Sequence, residues 1–434
     1  MSSTRLTLTI DNLNSSGEGV ARLGRDIYFV PGALPGEQAE VVLDGRRRKI
    51  WQTKLLKIIS PSAQRTEPLC AHYQRCGGCD LQHLAYEHQV SFKQQRVERE
   101  LERQKIPVAQ WAQPIVSEPW HYRRKARIGV RLSKQTQENI IGFREAASSH
   151  LTNIDKCIVL PEHPALNWQQ WRLLINKLQA KAYITQIEVV YADNALALVL
   201  RVLKPLVVSD QQQLIEFVTT MTDHLPVQLW LKLDKNQQAQ LLYPEQAEPL
   251  THNVDQQTLT VQIDDFLQVN GAVNQAMVAQ AMQWLSPQAN DCIWDMFAGH
   301  GNFSMALAKR SQQVWAVEGS ADMVESLQQQ AQALGLPIQA QCMDLTQPQL
   351  NLPKADAVLL DPPRAGALEL MPALIEQAVP KILYVSCDVA TLARDLSLLV
   401  AAGYEIKQAG IIDMFPQTHH VETMVLAEKR YKNG

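Results

Sequence analysis

The first sixty residues alternate. In "RLTLTI" (residues 5–10) polar and apolar positions take turns, "NSSGEGV" breaks the pattern, "DIYFV" resumes it, "PGALPGE" breaks it again and "AEVVL" resumes it. Alternation with period two marks strands with one buried face, and short strands separated by Gly, Pro and Asn turns predict a small β-barrel over residues 1–61. Pro61 and Pro68 then bracket a linker. Residues 84–104, "LAYEHQVSFKQQRVERELERQ", switch to helical spacing and predict a charged amphipathic helix. From about 120 to 265 the signals are mixed, with strands at "ITQIEVVYA" (184–192) and "ALALVLRV" (195–202).

Near residue 290 the texture changes. "CIWDMFAGHGNF" (292–303) reads as a strand entering a glycine turn, and "SMALAKR" as a helix. "QVWAVEGS" is a strand, and "ADMVESLQQQAQALG" a helix ending at Gly335. "ADAVLLDPPR", "KILYVSCD" and "VETMVLAEKR" are further strands with helical stretches between them. Near-continuous apolar strands alternating with helices predict a doubly wound, largely parallel sheet for residues 266–434.

Composition narrows the setting. The chain has 434 residues, 46% of them apolar, enough for two or three domains with proper cores. Its start, Met1-Ser2-Ser3-Thr4-Arg5, lacks the apolar run of a signal peptide, and the most apolar stretch (195–208) is interrupted by Arg201 and Lys204. A soluble, cytoplasmic, monomeric protein with no membrane contact is the expectation. In a reducing compartment clustered cysteines point to metal ligation or catalysis rather than disulfides. Of only seven cysteines, three fall within "CAHYQRCGGCD" (70–80). Cys76 and Cys79 stand at the C-x₂-C spacing that closes on one metal or cluster, and zinc and an iron–sulfur centre both accept such a set.

Net charge is −3, which gives no global sign of a polyanion partner. Two local runs say more: "RRRK" (46–49), and "HYRRKARIGVR" (121–131), with Trp120 and Tyr122 beside its arginines. Basic residues interleaved with aromatics suit a phosphate backbone with bases to stack, although either run alone also reads as a solvated charged face.

The chemistry gathers at the C-terminal strand ends. Asp295-Met296-Phe297-Ala298-Gly299-His300-Gly301-Asn302 follows a strand and opens a helix, and Glu318 closes the next strand. Glycines permit a tight turn, and an acid at that spacing can accept both ribose hydroxyls of a nucleotide. Ser304 replaces the third glycine of a full dinucleotide fingerprint. Cys387 lies just past one strand and Asp361 at the end of another, where α/β sheets place their ligands; a cysteine there is a candidate nucleophile. Cys292 and Cys342 have no such setting and read as core residues.

The D-x-F-x-G-x-G pattern resembles the loop of class I S-adenosylmethionine (SAM) methyltransferases, and Asp344 in "CMD" falls where that fold offers a carboxylate to the adenine amino group. "DPPR" and "SCD" beside such a loop resemble the RNA uracil-5-methyltransferases, in particular the members acting on 23S rRNA. "GEGVARLGRDIYFVPGALPGE" looks like the TRAM domain, an RNA-binding β-barrel, and "FLQVN", "VEGS", "YVSCD" and "MFPQTHHVE" follow in family order. The resemblance implies a TRAM barrel (1–61), a central α+β iron–sulfur domain (62–265) and a Rossmann-like class I methyltransferase domain (266–434). It implies a [4Fe–4S] cluster on Cys70, Cys76, Cys79 and Cys157. It implies SAM contacts from Gln268, Phe297, Gly299, Asn302, Glu318, Asp344 and Asp361, a Cys387 nucleophile and a Glu422 base.

On that reading the thiolate adds to uracil C6, C5 takes the methyl group of SAM, and Glu422 removes the C5 proton from a flipped or single-stranded uridine. One departure is Asp388-Val389, where the family has Asn-Pro after the nucleophile; a looser loop and a raised thiol pKa are expected from it. The same chemistry on a tRNA uridine or another rRNA uridine, or a non-catalytic RNA-binding module, are the alternatives. A radical-SAM centre fits less well, since five residues separate Cys70 from Cys76.

Overall fold

The N-terminal strands are β1 (Arg5–Thr9), β2 (Asn12–Leu13), β3 (Gly19–Leu23), β4 (Asp26–Val30), β5 (Gln38–Arg47) and β6 (Ile50–Ser60). In the computed structural model, which describes residues 4–146, 148–221, 223–233, 238–348 and 350–430, they form one sheet in the order β1-β5-β6-β4-β3-β2. Its core is the alternating apolar set, with Leu8, Ile10, Ala21, Tyr28, Val30 and Val41 all buried. The β5–β6 hairpin extends well beyond "AEVVL". It carries the "RRRK" run to its tip, where Arg48 turns at φ 58°. There Arg46 donates to Asp26 at 2.9 Å and lies 4.8 Å from the Trp51 ring centre.

Helix α1 (Tyr86–Arg103) and strand β7 (Val108–Trp111) follow the cysteine-bearing segment. The middle sheet then uses β8 (Lys125–Leu132), β9 (Asn139–Gly142), β10 (Ile184–Tyr191), β11 (Leu196–Val202), β12 (Val227–Lys232) and β13 (Gln240–Tyr243). Helices α2 (Trp168–Lys177) and α3 (Val208–Thr219) accompany it, and the order is β13-β12-β11-β10-β8-β9. Trp168 and Trp171 of α2 are fully buried against β10 and β11 residues such as Ile187 and Leu198. A separate hairpin, β14 (Leu250–Val254) with β15 (Gln257–Val261), joins two cores: Leu250 and Val261 pack with Val190 and Ala197 of the middle sheet, and Val254 and Leu259 with the C-terminal core.

The C-terminal unit comprises α4 (Gly271–Leu285), β16 (Cys292–Met296), α5 (Ser304–Ala308), β17 (Gln313–Glu318), α6 (Ala321–Ala333), β18 (Ile338–Cys342) and β19 (Ala357–Leu360). It continues through α7 (Met371–Glu376), β20 (Lys381–Ser386), α8 (Val389–Ala401), β21 (Tyr404–Ile412) and β22 (Glu422–Lys429). The sheet order is β18-β17-β16-β19-β20-β22-β21-β7. Strands β16 to β20 pair in parallel and β22 inserts antiparallel to both neighbours. The chain winds outward from β16 to β18 and then reverses to β19, so the crevice at the carboxyl ends of β16 and β19 is the topological switch point where such sheets bind ligands.

Two findings depart from the sequence reading. Residues 86–111 precede the middle sheet in the chain but pack on the C-terminal one. β7 pairs in parallel with β21, and Val97, Leu101 and Ile106 share a core with Trp294, Leu360 and Leu396. Order along the chain had placed them in the central unit, because periodicity identifies a helix and not its partner. The "HYRRKARIGVR" stretch is also less of an RNA face than its composition implies. Tyr122 is buried with its hydroxyl on Pro416 O, Arg124 pairs with Asp193, and Lys125 Nζ donates to the carbonyls of Ile263 and Asp265. Arg127 and Arg131 do point outward.

Candidate active site

Strand β16 ends in a loop whose backbone leaves the usual regions three times: Phe297 at φ 64°, Gly299 at φ 55° and Gly301 at φ 90°. A side chain at Gly301 would press Leu327 and Met305 at 3.2 and 3.3 Å, so this glycine is needed for both its conformation and its clearance. Gly299 faces open space, and its φ alone calls for glycine. The Glu318 carboxylate at the end of β17 accepts from Gly299 N at 3.1 Å and from Ser320 N at 3.0 Å, which locks the loop to the neighbouring strand. Asp295 is buried and accepts from Ser304 Oγ at 2.5 Å; burial, with help from the Asp361 and Glu318 charges, pushes its pKa up to about 7.

This loop floors a cavity of about 420 Å³. Gln268, Phe297, Gly299, Asn302, Asp361, Cys387 and Glu422 all line it, with hairpin residues of β15 and the aromatic Phe266 closing other sides. Seven predicted residues from five separate stretches therefore meet in one place. Glu318 acts from behind, through Gly299. Asp344 stands outside the lining: it is exposed, and its Oδ1 accepts from the N–H and hydroxyl of Thr346.

The thiol and the carboxylate owe their meeting to register. Ser386 of β20 pairs with Thr423 of the antiparallel β22, so the next positions, Cys387 and Glu422, face each other across adjacent strand ends. Glu422 is 8% exposed; burial pushes it up to about 8, and the charge of Asp361 adds to that. Asp361 is itself pushed up to about 7 by burial. The Cys387 thiol is raised by burial and then by the Glu422 and Asp361 charges, while the Arg364 guanidinium pulls it down. A carboxyl group of raised pKa beside a half-buried thiol can serve nucleophilic addition followed by proton removal.

Asp388 behaves differently from the sequence expectation. Its carboxylate accepts from Ala390 N at 3.1 Å and Thr391 N at 3.0 Å and so caps α8, while Ser386 Oγ donates to Asp388 O at 3.0 Å. The loop after the thiol is tied down without the proline. Helix α8 also steadies the Asp361 loop. Buried Asp395 accepts from Ala367 N and Tyr384 OH at 2.8 and 2.7 Å, and Arg394 donates to Ala365 O.

Sequence reasoning missed several participants. Arg364, in the quoted "DPPR", reaches the cavity wall; its place directly after the two prolines was the available signal. Asn274 of α4 exchanges both amide hydrogen bonds with Asn302, at 2.8 and 2.9 Å, and fixes that side chain; nothing in the sequence marks it.

The four cysteines of the implied cluster share one neighbourhood. All are unpaired and half-buried. Burial pushes Cys79 up to about 12, with the charges of Cys157, Cys76 and Cys70 adding, and Cys157 up to about 11, with Cys76 and Cys70 adding. Cys76 bridges to Glu145, and a side chain on Gly77 would come within 3.1 Å of Ala146 N and Arg144 O, so the glycine lets these two segments touch. The donor set is all sulfur, which suits soft thiophilic centres. Among the described residues no three His, Cys, Asp or Glu side chains stand in the geometry that holds a single metal ion.

The family model described as tRNA (Uracil-5-)-methyltransferase matches residues 85–335 and 339–430. The 23S rRNA (uracil(1939)-C(5))-methyltransferase RlmD of Shewanella frigidimarina is 40% identical over 441 residues, covering 98% of this chain and 96% of that protein. The enzyme of the same name from Shewanella piezotolerans is 38% identical over 434 residues, with the same coverage. Among solved structures, the Pyrococcus abyssi tRNA (uracil-54, C5)-methyltransferase in complex with S-adenosyl-L-homocysteine (SAH) shares the fold. Its TM-score is 0.74 at 21% identity, over 97% of this chain and 100% of that one.

Proposed function

The chain belongs to the tRNA (uracil-5-)-methyltransferase family and is a SAM-dependent RNA (uracil-5-)-methyltransferase; from that premise we propose that it methylates C5 of a uridine in 23S rRNA, the one its relatives' names give as uracil 1939, through a covalent adduct on Cys387. The observation that carries the mechanism is the register that sets Cys387 opposite Glu422 on the wall of a cavity at the switch point.

Cys387, as thiolate, adds to C6 of the uracil, and the bond electrons move to make C5 nucleophilic. SAM, when bound, would supply the methyl group that C5 takes, its sulfonium leaving as the neutral thioether of SAH. Gln268, Phe297, Asn302 and Asp361 line its cavity, and Glu318 fixes the Gly299 turn beneath it. Asp344, whose Oδ1 is held by Thr346, keeps Oδ2 to accept from the adenine amino group. Glu422 then takes the proton from C5, the C6–S bond breaks, and the thiolate returns with 5-methyluridine released. The Arg364 guanidinium beside the thiol favours the thiolate.

Residues 1–61 we read as a TRAM-type RNA-binding barrel, 62–265 as the central unit and 266–434 as the methyltransferase unit, the last completed by residues 86–111. Cys70, Cys76, Cys79 and Cys157 would hold a [4Fe–4S] cluster with a structural role; no step of methyl transfer needs it. Iron and sulfide analysis tests this, and a colourless protein with zinc overturns it.

The central test incubates the full chain with labelled SAM and unmodified rRNA, and maps the methyl group by nuclease digestion and mass spectrometry. Cys387→Ala is expected to bind SAM and transfer nothing, and Glu422→Gln to accumulate a denaturation-resistant RNA–protein adduct. Methylation by Cys387→Ala refutes the mechanism; label found in tRNA instead moves the substrate.

A further inference from the structure

Residues 413–421 join β21 to β22 and lead directly into Glu422. The stretch is neither helix nor strand, so many of its backbone groups find their partners outside it. Helix α1 holds the first half. Lys93 Nζ donates to Asp413 Oδ1 at 2.5 Å and to Phe415 O at 3.0 Å, and Tyr86 OH donates to Asp413 Oδ2 at 2.9 Å. Gln89 accepts from Gln417 N and donates to Gln417 Oε1, both at 3.0 Å. Gln417 itself sits at φ 67°, a conformation a non-glycine residue keeps only where its surroundings fix it.

The second half is held from the cysteine-bearing segment. The N–H groups of Asp80 and Leu81 both donate to the Gln417 carbonyl at 3.1 Å. The Asp80 carboxylate accepts from His419 N at 2.8 Å and meets His419 Nδ1 at 2.6 Å. Beyond Gln417, the only other hydrogen bond from outside the stretch among the described residues comes from Arg96, which donates to His419 O at 2.7 Å, and Val421 is buried in the core it shares with Val97 and Val425. The remaining bonds here are internal, such as His420 N to Thr418 Oγ1.

We infer that Asp80, next in sequence to Cys79, is a positioning residue for Glu422. Its carboxylate fixes His419, three residues before the base, and thereby couples the order of the cysteine-bearing segment to the proton-removal step. The inference rests on the reading of Glu422 as the base. Asp80 and His419 are 40% and 27% exposed in their side chains, so the pair adds little to overall stability and its loss leaves a folded protein.

The test uses the full chain with unmodified 23S rRNA and SAM. It follows formation of the RNA–protein adduct on denaturing gels, its decay to 5-methyluridine, and SAM affinity by calorimetry. In Asp80→Ala, SAM affinity and adduct formation stay near wild type, while decay slows by about ten- to a hundredfold, the scale of a small misplacement of a catalytic group, so the adduct accumulates. Asp80→Asn, whose amide oxygen still accepts from His419 N, recovers most of the rate. His419→Ala, which leaves the cysteine-bearing segment unaltered and keeps the main-chain N–H bond to Asp80, shows a smaller slowing of the same step. Wild-type decay in both alanine variants, with Glu422→Gln trapping adduct, overturns the positioning role. So does equal slowing of formation and decay, which marks general disruption. If Glu422→Gln itself traps no adduct, the base assignment fails and takes the inference with it.

Discussion

The charge of the cavity depends on what occupies it. Burial holds Glu422 at about 8 and Asp361 at about 7, so in the free protein at neutral pH most Glu422 side chains carry a proton. SAM brings a sulfonium; SAH has a neutral sulfur in its place. A unit positive charge about 6 Å from a carboxylate, at an effective dielectric of about 20, favours the ionised form by roughly 3 kcal/mol, or about 2 pKa units. Binding SAM therefore releases a proton wherever the free protein holds one and the complex does not, between about pH 6 and 8 for a shift of that size on Glu422. SAM affinity rises with pH across this window, by up to about tenfold per unit for one proton, and levels off above it. The amino and carboxylate groups are common to both ligands, so the ratio of their dissociation constants isolates the sulfonium. Calorimetric titrations of SAM and SAH from pH 5.5 to 9 at fixed ionic strength measure it, and buffers of different ionisation enthalpy count the proton directly. The ratio is expected to favour SAM increasingly up to about pH 8, and Glu422→Gln to flatten most of the slope. A ratio independent of pH, or an undiminished slope in both Glu422→Gln and Asp361→Asn, refutes the reasoning.

Lys93→Ala strands Asp413 in the interior, since both side chains of this ion pair are fully buried; a loss of about 3–5 kcal/mol is expected in denaturant unfolding, and Lys93→Met with Asp413→Leu should lose much less. Asp388→Ala removes the cap of α8 and costs about 1 kcal/mol, with slower turnover because the thiol loop loosens, whereas Asp388→Asn keeps both near wild type in thermal melts and single-turnover assays. Gly301→Ala forces an unfavourable φ and crowds Leu327, so SAM affinity by calorimetry falls by tenfold or more, about 1.4 kcal/mol, while the far-ultraviolet spectrum is unchanged. Because Asp295, Asp361 and Glu422 hold protons in the folded chain to a higher pH than when unfolded, native stability falls as pH rises from the ordinary carboxylate range to about 8. The melting temperature of Glu422→Gln should accordingly gain on wild type between pH 5 and 8.

The doubly wound sheet was legible because its strands are apolar throughout and its turns carry glycine where φ is positive, as at Gly299, Gly301 and Gly335. Cys387 and Asp361 were legible because each directly follows an apolar strand. What the sequence withheld is long-range. No local pattern ties Asn274 to Asn302, or Asp80 to His419, since these contacts depend on how distant segments dock. The inward turn of Arg124 and Lys125 was hidden for the same reason: a basic residue looks solvated until its acceptor, here Asp193 or a main-chain carbonyl, is known. Asp388 was misjudged because its charge was weighed against the thiol and its position at a helix start was not.

The placement of α1 and β7 sets how the molecule can be dissected. A polypeptide cut at residue 266 would contain seven of the eight strands of this sheet yet expose β21 as a bare edge and leave Asp413 without its ammonium partner in an apolar interior. Such a fragment should be insoluble alone and be rescued in trans by a peptide spanning residues 84–112. The catalytic unit is therefore discontinuous in sequence, and the middle sheet is an insertion between the two parts of one folding unit.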